Sequence, residues 1–324
     1  MVFSSFDVLQ HDLEPESRKF FIEVLRGLCK PYKELPCKYI YDERGSKLFD
    51  QITELDEYYL TRTETQILHT CHTPIAEAVG ENCVVIEYGS GSSAKTPILL
   101  ESLEQPVAYV PVDISREHLM QSASRLQYQL PEIEVLPICA DYTGTVEYPE
   151  EILEIPNRLI FFPGSTLGNF DPTQAVQFLR TMRAVCGAEG KILIGIDLQK
   201  DLSILIPAYD DAQGITAEFN QNILLRINHE LNANFNLPAF RYHAFFNEQK
   251  NRVEMQQISI RKQEVTIGGT TIEFDQDEPI HTESSYKYTL DQFAQLAFEA
   301  GLHSESIWMD PNQWFSIHLL VPVH

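Results

Sequence analysis

The chain has 324 residues, of which 44% are hydrophobic and 10% aromatic, so it is long and apolar enough for one large or two modest globular domains. It carries 24 basic against 47 acidic residues, a net charge of -23 that repels nucleic-acid phosphates and anionic membrane surfaces. This balance argues against nucleic acid and membranes as partners and favours a small molecule.

Neither a targeting segment nor a metal site is indicated. The first 16 residues lack a basic stretch followed by an apolar one, and no run approaches the roughly 18 apolar residues that span a bilayer, so we expect a cytoplasmic protein. We also expect a monomer. Six cysteines without a CxxC pair predict reduced, mostly buried thiols. The segment HTCH, with His69, Cys71 and His72, lacks a second ligand pair, so no metal is predicted.

The first half of the chain shows an opening helix and then an alternating pattern. Apolar residues at helical spacing predict a helix over residues 15–29. From residue 83, strands and helices alternate as VVIEY, a helix from Lys95, VAYVPVDI, a helix around His118 to Leu130, and EVLPICADY. This alternation is typical of a parallel sheet with crossover helices.

The pattern continues and then changes. RLIFFPGST reads as a strand, and the next helix has Asp171 as N-cap, Pro172 at its first position and Gly187 at its end, before the strand KILIGIDL. A helix over 216–231 is followed by short strands that predict an antiparallel piece: RYHAFFN, RVEMQQISI, EVTIGG and TIEFD. LDQFAQLAFEAGL is a helix with a glycine stop, and WFSIHLLVPV is the last strand.

The stretch VIEYGSGSSAKT, residues 85–96, places a glycine turn between a buried strand and a helix N-terminus, an arrangement that suits a cofactor. Gly89, Gly91 and Ala94 fit the dinucleotide pattern G-x-G-x-x-A, which alone is weak. S-adenosylmethionine uses the same crossover, with acids at the ends of the second and third strands, where Asp113 and Asp141 stand. A final antiparallel strand is typical of methyltransferase sheets, so the methyl donor is favoured over NAD.

Six segments together resemble the histidine-specific N-alpha-methyltransferase family of ergothioneine biosynthesis. They follow in the family's order over nearly the whole chain: YIYDERGSKLFDQITELDEYYLTRTE, VIEYGSGSSAKT, PGSTLGNF, AYDDAQGITAEFNQN, RVEM and HTESSYKY. The resemblance implies the transfer of three methyl groups from S-adenosylmethionine to the α-amine of L-histidine, giving hercynine. It also implies a Rossmann-like class I methyltransferase sheet with a second, smaller substrate-binding α+β domain.

The resemblance assigns substrate roles residue by residue. Asn169 holds the amine and carboxylate region, Tyr209 donates to the carboxylate, and Tyr58 lies beside the reacting amine. The remaining substrate-binding residues surround the imidazole: Tyr41, Met255, Glu283, Ser284 and Ser285. Without the family, Glu283 reads as an exposed loop acid and Met255 as core.

Tyr58 and Asn169 are the predicted catalytic residues. No histidine or lysine is marked as a base, so our hypothesis routes the amine proton through Tyr58 or water. The predicted cofactor-binding residues are Gly89, Ser90, Gly91, Lys95, Asp113, Asp141 and Tyr142.

The sequence departs from the family pattern in two places. Asp56 and Leu60 stand where prolines are usual, which suggests a more adaptable loop over the substrate, and Ser284 with Tyr286 suggests a more polar imidazole pocket. The alternatives are an N-methyltransferase for another aromatic amino acid such as tryptophan, a catalytically silent cofactor-binding protein and, last, a dehydrogenase.

We predict a cofactor domain over 60–210, completed by 286–324. N-terminal helices within residues 1–59 and the substrate-binding insertion 211–285 are predicted to form the part that selects histidine. Ligands bind at the carboxyl ends of parallel strands and between domains, so the substrate is expected there.

Overall fold

The computed structural model describes residues 15–91 and 95–323. The helices, in chain order, are α1 (Pro15–Leu28), α2 (Glu43–Thr53), α3 (Tyr59–Thr70), α4 (His72–Val79), α5 (Thr96–Ser102), α6 (Arg116–Gln129), α7 (Glu150–Glu154), α8 (Pro172–Cys186), α9 (Leu202–Leu205), α10 (Ile215–Glu230) and α11 (Leu290–Glu299). Short 3₁₀ helices lie at Cys37–Ile40, Thr166–Asn169, Ile206–Ala208 and Leu237–Ala239.

The strands are β1 (Val84–Tyr88), β2 (Ala108–Asp113), β3 (Glu134–Val135), β4 (Ile138–Cys139), β5 (Arg158–Phe162), β6 (Lys191–Asp197), β7 (Phe240–Asn247), β8 (Arg252–Ser259), β9 (Gln263–Ile267), β10 (Thr270–Phe274), β11 (Pro279–Tyr286), β12 (Leu302–Met309) and β13 (Phe315–Pro322). Among the described helices, none combines the length and the apolar character that crossing a bilayer requires.

The chain divides into two compact units. Unit one takes in the described residues as far as Glu57, together with Leu202–Glu248 and Val253–Ser284. Unit two consists of Tyr58–Asp201, Gln249–Arg252 and the chain from Ser285 onward.

Unit two is built on one eight-stranded sheet, ordered β12-β13-β6-β5-β1-β2-β3, with β4 also paired to β2. The pairs of β1 with β2 and β5, of β5 with β6, and of β2 with β3 and β4 are parallel. The strand β13 runs antiparallel to β6, and β12 runs antiparallel to β13. The predicted α/β fold, with a mostly parallel sheet closed by an antiparallel last strand, is confirmed.

The central strands of this sheet are buried because helices pack on it. All five residues of β1 are buried, and the inner positions of α8, such as Phe178, Leu179 and Met182, pack into the same core. The start of α8 is set locally: the Asp171 carboxylate accepts from the Gln174 N–H at 2.9 Å, and Pro172 occupies the first turn. Gly187 ends the helix at a φ of 76°, as predicted.

Unit one combines helices with two small sheets, a three-stranded one ordered β11-β8-β7 and the antiparallel pair β9-β10. The apolar positions of α1 are buried as its helical spacing predicts: Phe20, Phe21, Val24, Leu25 and Leu28. Asn222 of α10 donates to the Ile40 carbonyl at 3.0 Å and to the Asp42 carboxylate at 2.8 Å. These bonds tie α10 to the start of α2, which Asp42 caps.

Several predictions about individual elements were wrong. EVLPICADY is broken into β3 and β4, because Pro137 lies between them and has no N–H for a ladder. The segment HTESSYKY is largely strand β11, and α3, α4 and β12 were not predicted. Leu60, expected in an adaptable loop, is a buried residue in the first turn of α3. Of the six free cysteines only Cys83 and Cys186 are buried.

Candidate active site

The glycine turn of unit two is tied to the end of the neighbouring strand. Gly89 and Gly91 adopt φ values of 68° and 50° after β1, a conformation that favours glycine. The Asp113 carboxylate at the end of β2 accepts from the Gly91 N–H at 3.0 Å and from the Ser115 N–H at 2.9 Å. Ser92 to Ala94, including the last position of the G-x-G-x-x-A pattern, lie outside the described residues.

Tyr142 lies against the same turn. A Cβ added to Gly89 would meet the Tyr142 ring at 3.5 Å, and this ring stacks on Tyr88 with centroids 5.6 Å apart. Ser90 is buried nearby in the chain, whereas the Asp141 carboxylate accepts from the Thr143 N–H at 3.0 Å in a local turn. Glycines without side chains, an ordered carboxylate at a strand end and an aromatic wall fit an adenosyl cofactor.

Lys95 has a partner that the sequence did not reveal. Its ammonium forms an ion pair with Glu64, a fully buried residue of α3. The same carboxylate accepts from the Gly164 N–H at 2.9 Å, in the loop after β5. Glu64 therefore holds together the segments that follow β1 and β5, and no signal pointed to it because α3 was not predicted.

Glu87 is a second buried acid, on β1. It accepts hydrogen bonds from the Thr96 hydroxyl at 2.7 Å and the Tyr109 hydroxyl at 2.5 Å. Burial raises the pKa of Glu87 to about 7, against the lowering effect of these two donors. Glu87 is not among the predicted site residues.

This shift predicts a pH-dependent stability. The folded chain keeps the Glu87 proton up to a pKa of about 7 and the unfolded chain only to 4.5, so the contribution of Glu87 to the free energy of unfolding falls as pH rises through this window. The fall is at most about 3 kcal/mol. We expect Glu87→Gln to flatten this part of the profile in urea unfolding at pH 5 to 8. Glu101→Gln, at an exposed site on α5, is the control and should keep the wild-type slope; equal slopes in both variants would contradict the assignment.

The loop PGSTLGNF follows β5 and is held in an unusual conformation. Ser165 is buried at a φ of 58°, and its hydroxyl accepts from the Asp197 N–H at 2.9 Å. The 3₁₀ turn that ends at Asn169 comes next. A Cβ on Gly168 would lie 3.5 Å from the Ser285 hydroxyl and 3.0 Å from the Tyr286 carbonyl, so this loop packs on the chain that carries Ser285. The structure thus brings Ser285 next to the loop of Asn169.

Beside this loop lies a buried charged cluster that sequence reasoning missed. We call it the Asp197 cluster; its members are Tyr59, Asp197, Lys200 and Lys287. Both ammonium groups lie 2.6 Å from the Asp197 carboxylate, and the Tyr59 hydroxyl donates to it at 2.7 Å. Tyr58 precedes Tyr59 at the start of α3, and both residues are buried.

In unit one, the predicted imidazole residues Tyr41, Met255 and Glu283 lie in strand β11 or are hydrogen-bonded to it. Glu283 is only 7% exposed and lies in a strand, so its family-free interpretation as an exposed loop acid was wrong. The Tyr41 hydroxyl donates to the Glu283 carboxylate at 3.4 Å, and the Tyr41 ring packs edge-on against Phe219 at 5.1 Å. Met255 is buried on β8, where its carbonyl accepts from the Thr282 hydroxyl at 2.9 Å.

Tyr242, also in unit one, is not among the predicted site residues. Its hydroxyl donates to the carbonyl of the buried Tyr209 at 2.6 Å. Burial of the phenol and then the negative charge of Glu283 hold the pKa of Tyr242 well above its usual range. The Ser284 hydroxyl is hydrogen-bonded to the His281 ring at 2.9 Å. In unit two, the Tyr286 hydroxyl accepts from the Arg252 guanidinium at 3.0 Å.

No metal centre accompanies these residues in the part of the chain that the structure describes, where no group of histidine, cysteine and carboxylate side chains could hold an ion. In the HTCH segment, the His72 ring bonds to the His69 carbonyl at 2.8 Å.

Sequence comparison with known proteins assigns the chain to one family. The sequence model of "Histidine-specific methyltransferase, SAM-dependent" matches residues 20–322. A Histidine N-alpha-methyltransferase of Mycolicibacterium smegmatis is 38% identical, covering 92% of this chain and 94% of that protein. The enzyme of the same name from Mycobacterium tuberculosis is 38% identical over 92% of this chain and 93% of its own. Ergothioneine biosynthesis protein 1 of Neurospora crassa is 31% identical over 89% of this chain and 33% of its own length. The chain belongs to the family of SAM-dependent, histidine-specific methyltransferases.

Proposed function

We propose that this protein transfers three methyl groups in succession to the α-amine of L-histidine, giving hercynine in the first step of ergothioneine biosynthesis. The observation that carries the proposal is the buried Glu283 carboxylate beside the Tyr41 hydroxyl, in a chain of the histidine-specific family. A carboxylate can accept several hydrogen bonds, so Glu283 can accept from Tyr41 and also from the N–H of an imidazole.

S-adenosylmethionine, when bound, supplies an electrophilic methyl group. The chain's own residues hold the cofactor through Gly89, Ser90, Gly91, Lys95, Asp113, Asp141 and Tyr142 in this proposal. The Asp113 carboxylate accepts hydrogen bonds from the ribose hydroxyls in this proposal. Its place at the end of β2, where it also holds the glycine turn, supports this role.

The substrate residues act mainly by orientation. Asn169 holds the amine and carboxylate region and Tyr209 donates to the carboxylate, so that the nitrogen lone pair faces the methyl group. Met255 lines the imidazole slot, with Ser284 assigned to the same region. The ring of Tyr58 lies beside the nitrogen, which gains a permanent positive charge that an aromatic face stabilises.

The amine must lose a proton before each transfer. We assign this step to Tyr58 or to water, helped by burial of the amine. A Tyr58→Phe enzyme is therefore expected to turn over more slowly and with an altered pH profile of kcat. Full turnover with the wild-type profile would remove the tyrosine from this role.

Glu283 is the proposed discriminator between substrates. An imidazole presents a donor to this carboxylate and an acceptor on its other nitrogen, whereas an indole presents one donor alone. Tryptophan as substrate, the alternative reading, leaves the second polar contact unmade.

We expect Glu283→Gln to raise the KM for histidine roughly tenfold, since a hydrogen bond to a charged acceptor is replaced by a neutral one. Turnover at saturating histidine should fall less. Exchange of the exposed Glu299 for glutamine, in α11, serves as the matched control and should leave KM unchanged. An unchanged KM in Glu283→Gln would remove this residue from the pocket.

The proposal is tested by mass spectrometry of the products formed from S-adenosylmethionine and a mixture of all twenty amino acids. Histidine alone should gain up to three methyl groups. Methylation of tryptophan in its place would support the alternative, and no product would favour a silent binding protein. A cytoplasmic, monomeric enzyme is part of the proposal, and gel filtration tests the second of these properties.

A further inference from the structure

We infer that Tyr242 is a positioning residue: its hydroxyl fixes the backbone of Tyr209 and thereby aims the Tyr209 hydroxyl at the carboxylate of the substrate. The inference rests on the proposed function, in which Tyr209 donates to that carboxylate. It gives a role to Tyr242, which the family resemblance left without one, and it makes the carboxylate of histidine the group through which Tyr242 acts on specificity.

The backbone of Tyr209 is held on both sides of its Cα. Its N–H donates to the Ile206 carbonyl at 2.9 Å and closes the 3₁₀ turn Ile206–Ala208. Its carbonyl accepts from the Tyr242 hydroxyl at 2.6 Å. The two peptide planes that meet at a Cα set the direction of its Cα–Cβ bond. The bond from Tyr242 therefore helps to fix where the buried Tyr209 side chain points.

The chain that follows Tyr209 is anchored as well. The Asp211 carboxylate accepts from the N–H groups of Ile215 at 3.0 Å and Thr216 at 2.7 Å, in the first turn of α10. Tyr209 thus lies between a closed 3₁₀ turn and a fixed helix start, and strand β7 adds a third anchor through Tyr242. Loss of the Tyr242 bond leaves the other two anchors in place, so we expect a local shift of Tyr209 rather than unfolding.

Tyr242 acts through Tyr209 and not directly on the substrate. A phenol has one proton and a carbonyl can only accept, so the Tyr242 proton is given to the Tyr209 carbonyl. A substrate carboxylate offers acceptors alone, and Tyr242 has no second proton to donate to it. Burial of the phenol and then the negative charge of Glu283 hold the pKa of Tyr242 well above its usual range. Tyr242 therefore remains a donor through the neutral range.

Residues proposed for both ends of the histidine pocket lie around this phenol. Tyr209, proposed to bind the carboxylate, is hydrogen-bonded to it, and the charge of Glu283, proposed to bind the imidazole, acts on it together with Asp210 and Asp211. All of these residues belong to unit one. Loss of the Tyr242 hydroxyl should therefore move the carboxylate-binding Tyr209 relative to the imidazole-binding Glu283 within one compact unit.

The test compares histidine with histamine, which has the same imidazole and amine but no carboxylate. Steady-state methylation gives kcat/KM for histidine, and competition against histidine gives the inhibition constant of histamine. For Tyr242→Phe we expect kcat/KM to fall roughly tenfold and the histamine constant to stay within about twofold of the wild type. An unchanged kcat/KM would overturn the inference, and so would a histamine constant that rises as much as kcat/KM falls.

A double-substitution cycle separates positioning from a merely structural role. Tyr209→Phe removes the hydroxyl that Tyr242 aims, and should lower kcat/KM for histidine roughly thirtyfold. Adding Tyr242→Phe to this variant should then change kcat/KM by less than about twofold, because no hydroxyl remains to be aimed. A further tenfold fall in the double variant would make the two effects independent and overturn the inference.

Tyr39→Phe is the matched control, because it removes a phenol that donates to the Glu23 carboxylate at 2.7 Å in the same unit. It should keep both wild-type constants, and a loss equal to that of Tyr242→Phe would assign the effect to a general loosening of unit one and overturn the inference. Urea unfolding reports whether each variant is folded. If Tyr242→Phe is unfolded, Tyr242→Gln replaces it with the same expected and contrary results, since its amide is too short to reach the Tyr209 carbonyl.

Failure of the proposed function gives a different result. It shows as a wild-type protein that yields no methylated histidine. An active wild type whose Tyr209→Phe variant is unimpaired would remove the Tyr209 contact and the inference with it, while the methylation of histidine would stand.

Discussion

An Asn169→Ala enzyme is expected to lose roughly a hundred- to a thousandfold in kcat/KM for histidine, because displacement of a reacting group by about 1 Å already costs about a hundredfold. Asn169 ends the 3₁₀ turn whose preceding glycine packs against Tyr286 and Ser285. In the proposal, the Asn169 amide holds the substrate amine, so removing it releases the amine from its position before the methyl group. Affinity for S-adenosylmethionine should stay within about twofold, since the glycine turn and Asp113 are untouched.

The matched control is Asn157→Ala, in the same unit but before β5. The Asn157 amide donates to the Glu81 carbonyl at 2.9 Å, so this variant should lose stability while keeping its kcat/KM. Steady-state kinetics and cofactor titration on both variants make the comparison. Equal losses of kcat/KM in the two proteins would remove Asn169 from the site.

Asp113→Ala is expected to raise the Kd for S-adenosylmethionine roughly a hundredfold, or about 3 kcal/mol. The carboxylate has two functions in the proposal: it receives the ribose hydroxyls, and it already accepts from the N–H groups of Gly91 and Ser115. Removing it leaves the ribose without a partner and loosens the turn that the cofactor contacts. Calorimetric titration gives the measurement.

Asp171→Ala is the control for this change. Asp171 caps α8 in the same unit, so its loss should lower the free energy of unfolding by about 1 kcal/mol and leave cofactor affinity unchanged. If Asp113→Ala binds the cofactor as tightly as Asp171→Ala, the proposed ribose contact is wrong.

Membership of a SAM-dependent family removes the support for a dehydrogenase, although the glycine pattern formally matched one. The pattern matched because both cofactors use a glycine turn between a strand and a helix N-terminus. The residues outside that turn carried the distinction, above all the segments around Asn169 and Glu283.

Local rules were sufficient for much of unit two. β-branched runs, helical spacing and the Asp171, Pro172 and Gly187 signals act within a few residues of chain, so β1, β2, β5, β6 and α8 could be predicted. The position of Asp113 at the end of β2 followed from the same rules.

Strand β11 could not be predicted in this way. Its residues His281 to Ser285 are polar, and polar residues do not indicate a buried strand. Thr282 to Ser285 are buried because distant segments supply hydrogen bonds: Asn220 accepts from Thr282 at 2.9 Å, and Tyr41 donates to Glu283. The burial of Glu283, on which its proposed selectivity depends, is thus a tertiary property.

The sequence by itself determined the alternating fold of unit two, the glycine turn with Asp113, and the family to which the chain belongs. Only the tertiary structure decided that Glu64 pairs with Lys95, and that Lys287 and Lys200 share Asp197. Secondary structure and capping arise between residues close in the chain, whereas a buried charge is tolerated only when it is paired, and folding brings Lys95 to Glu64 and Lys287 to Asp197 from remote segments.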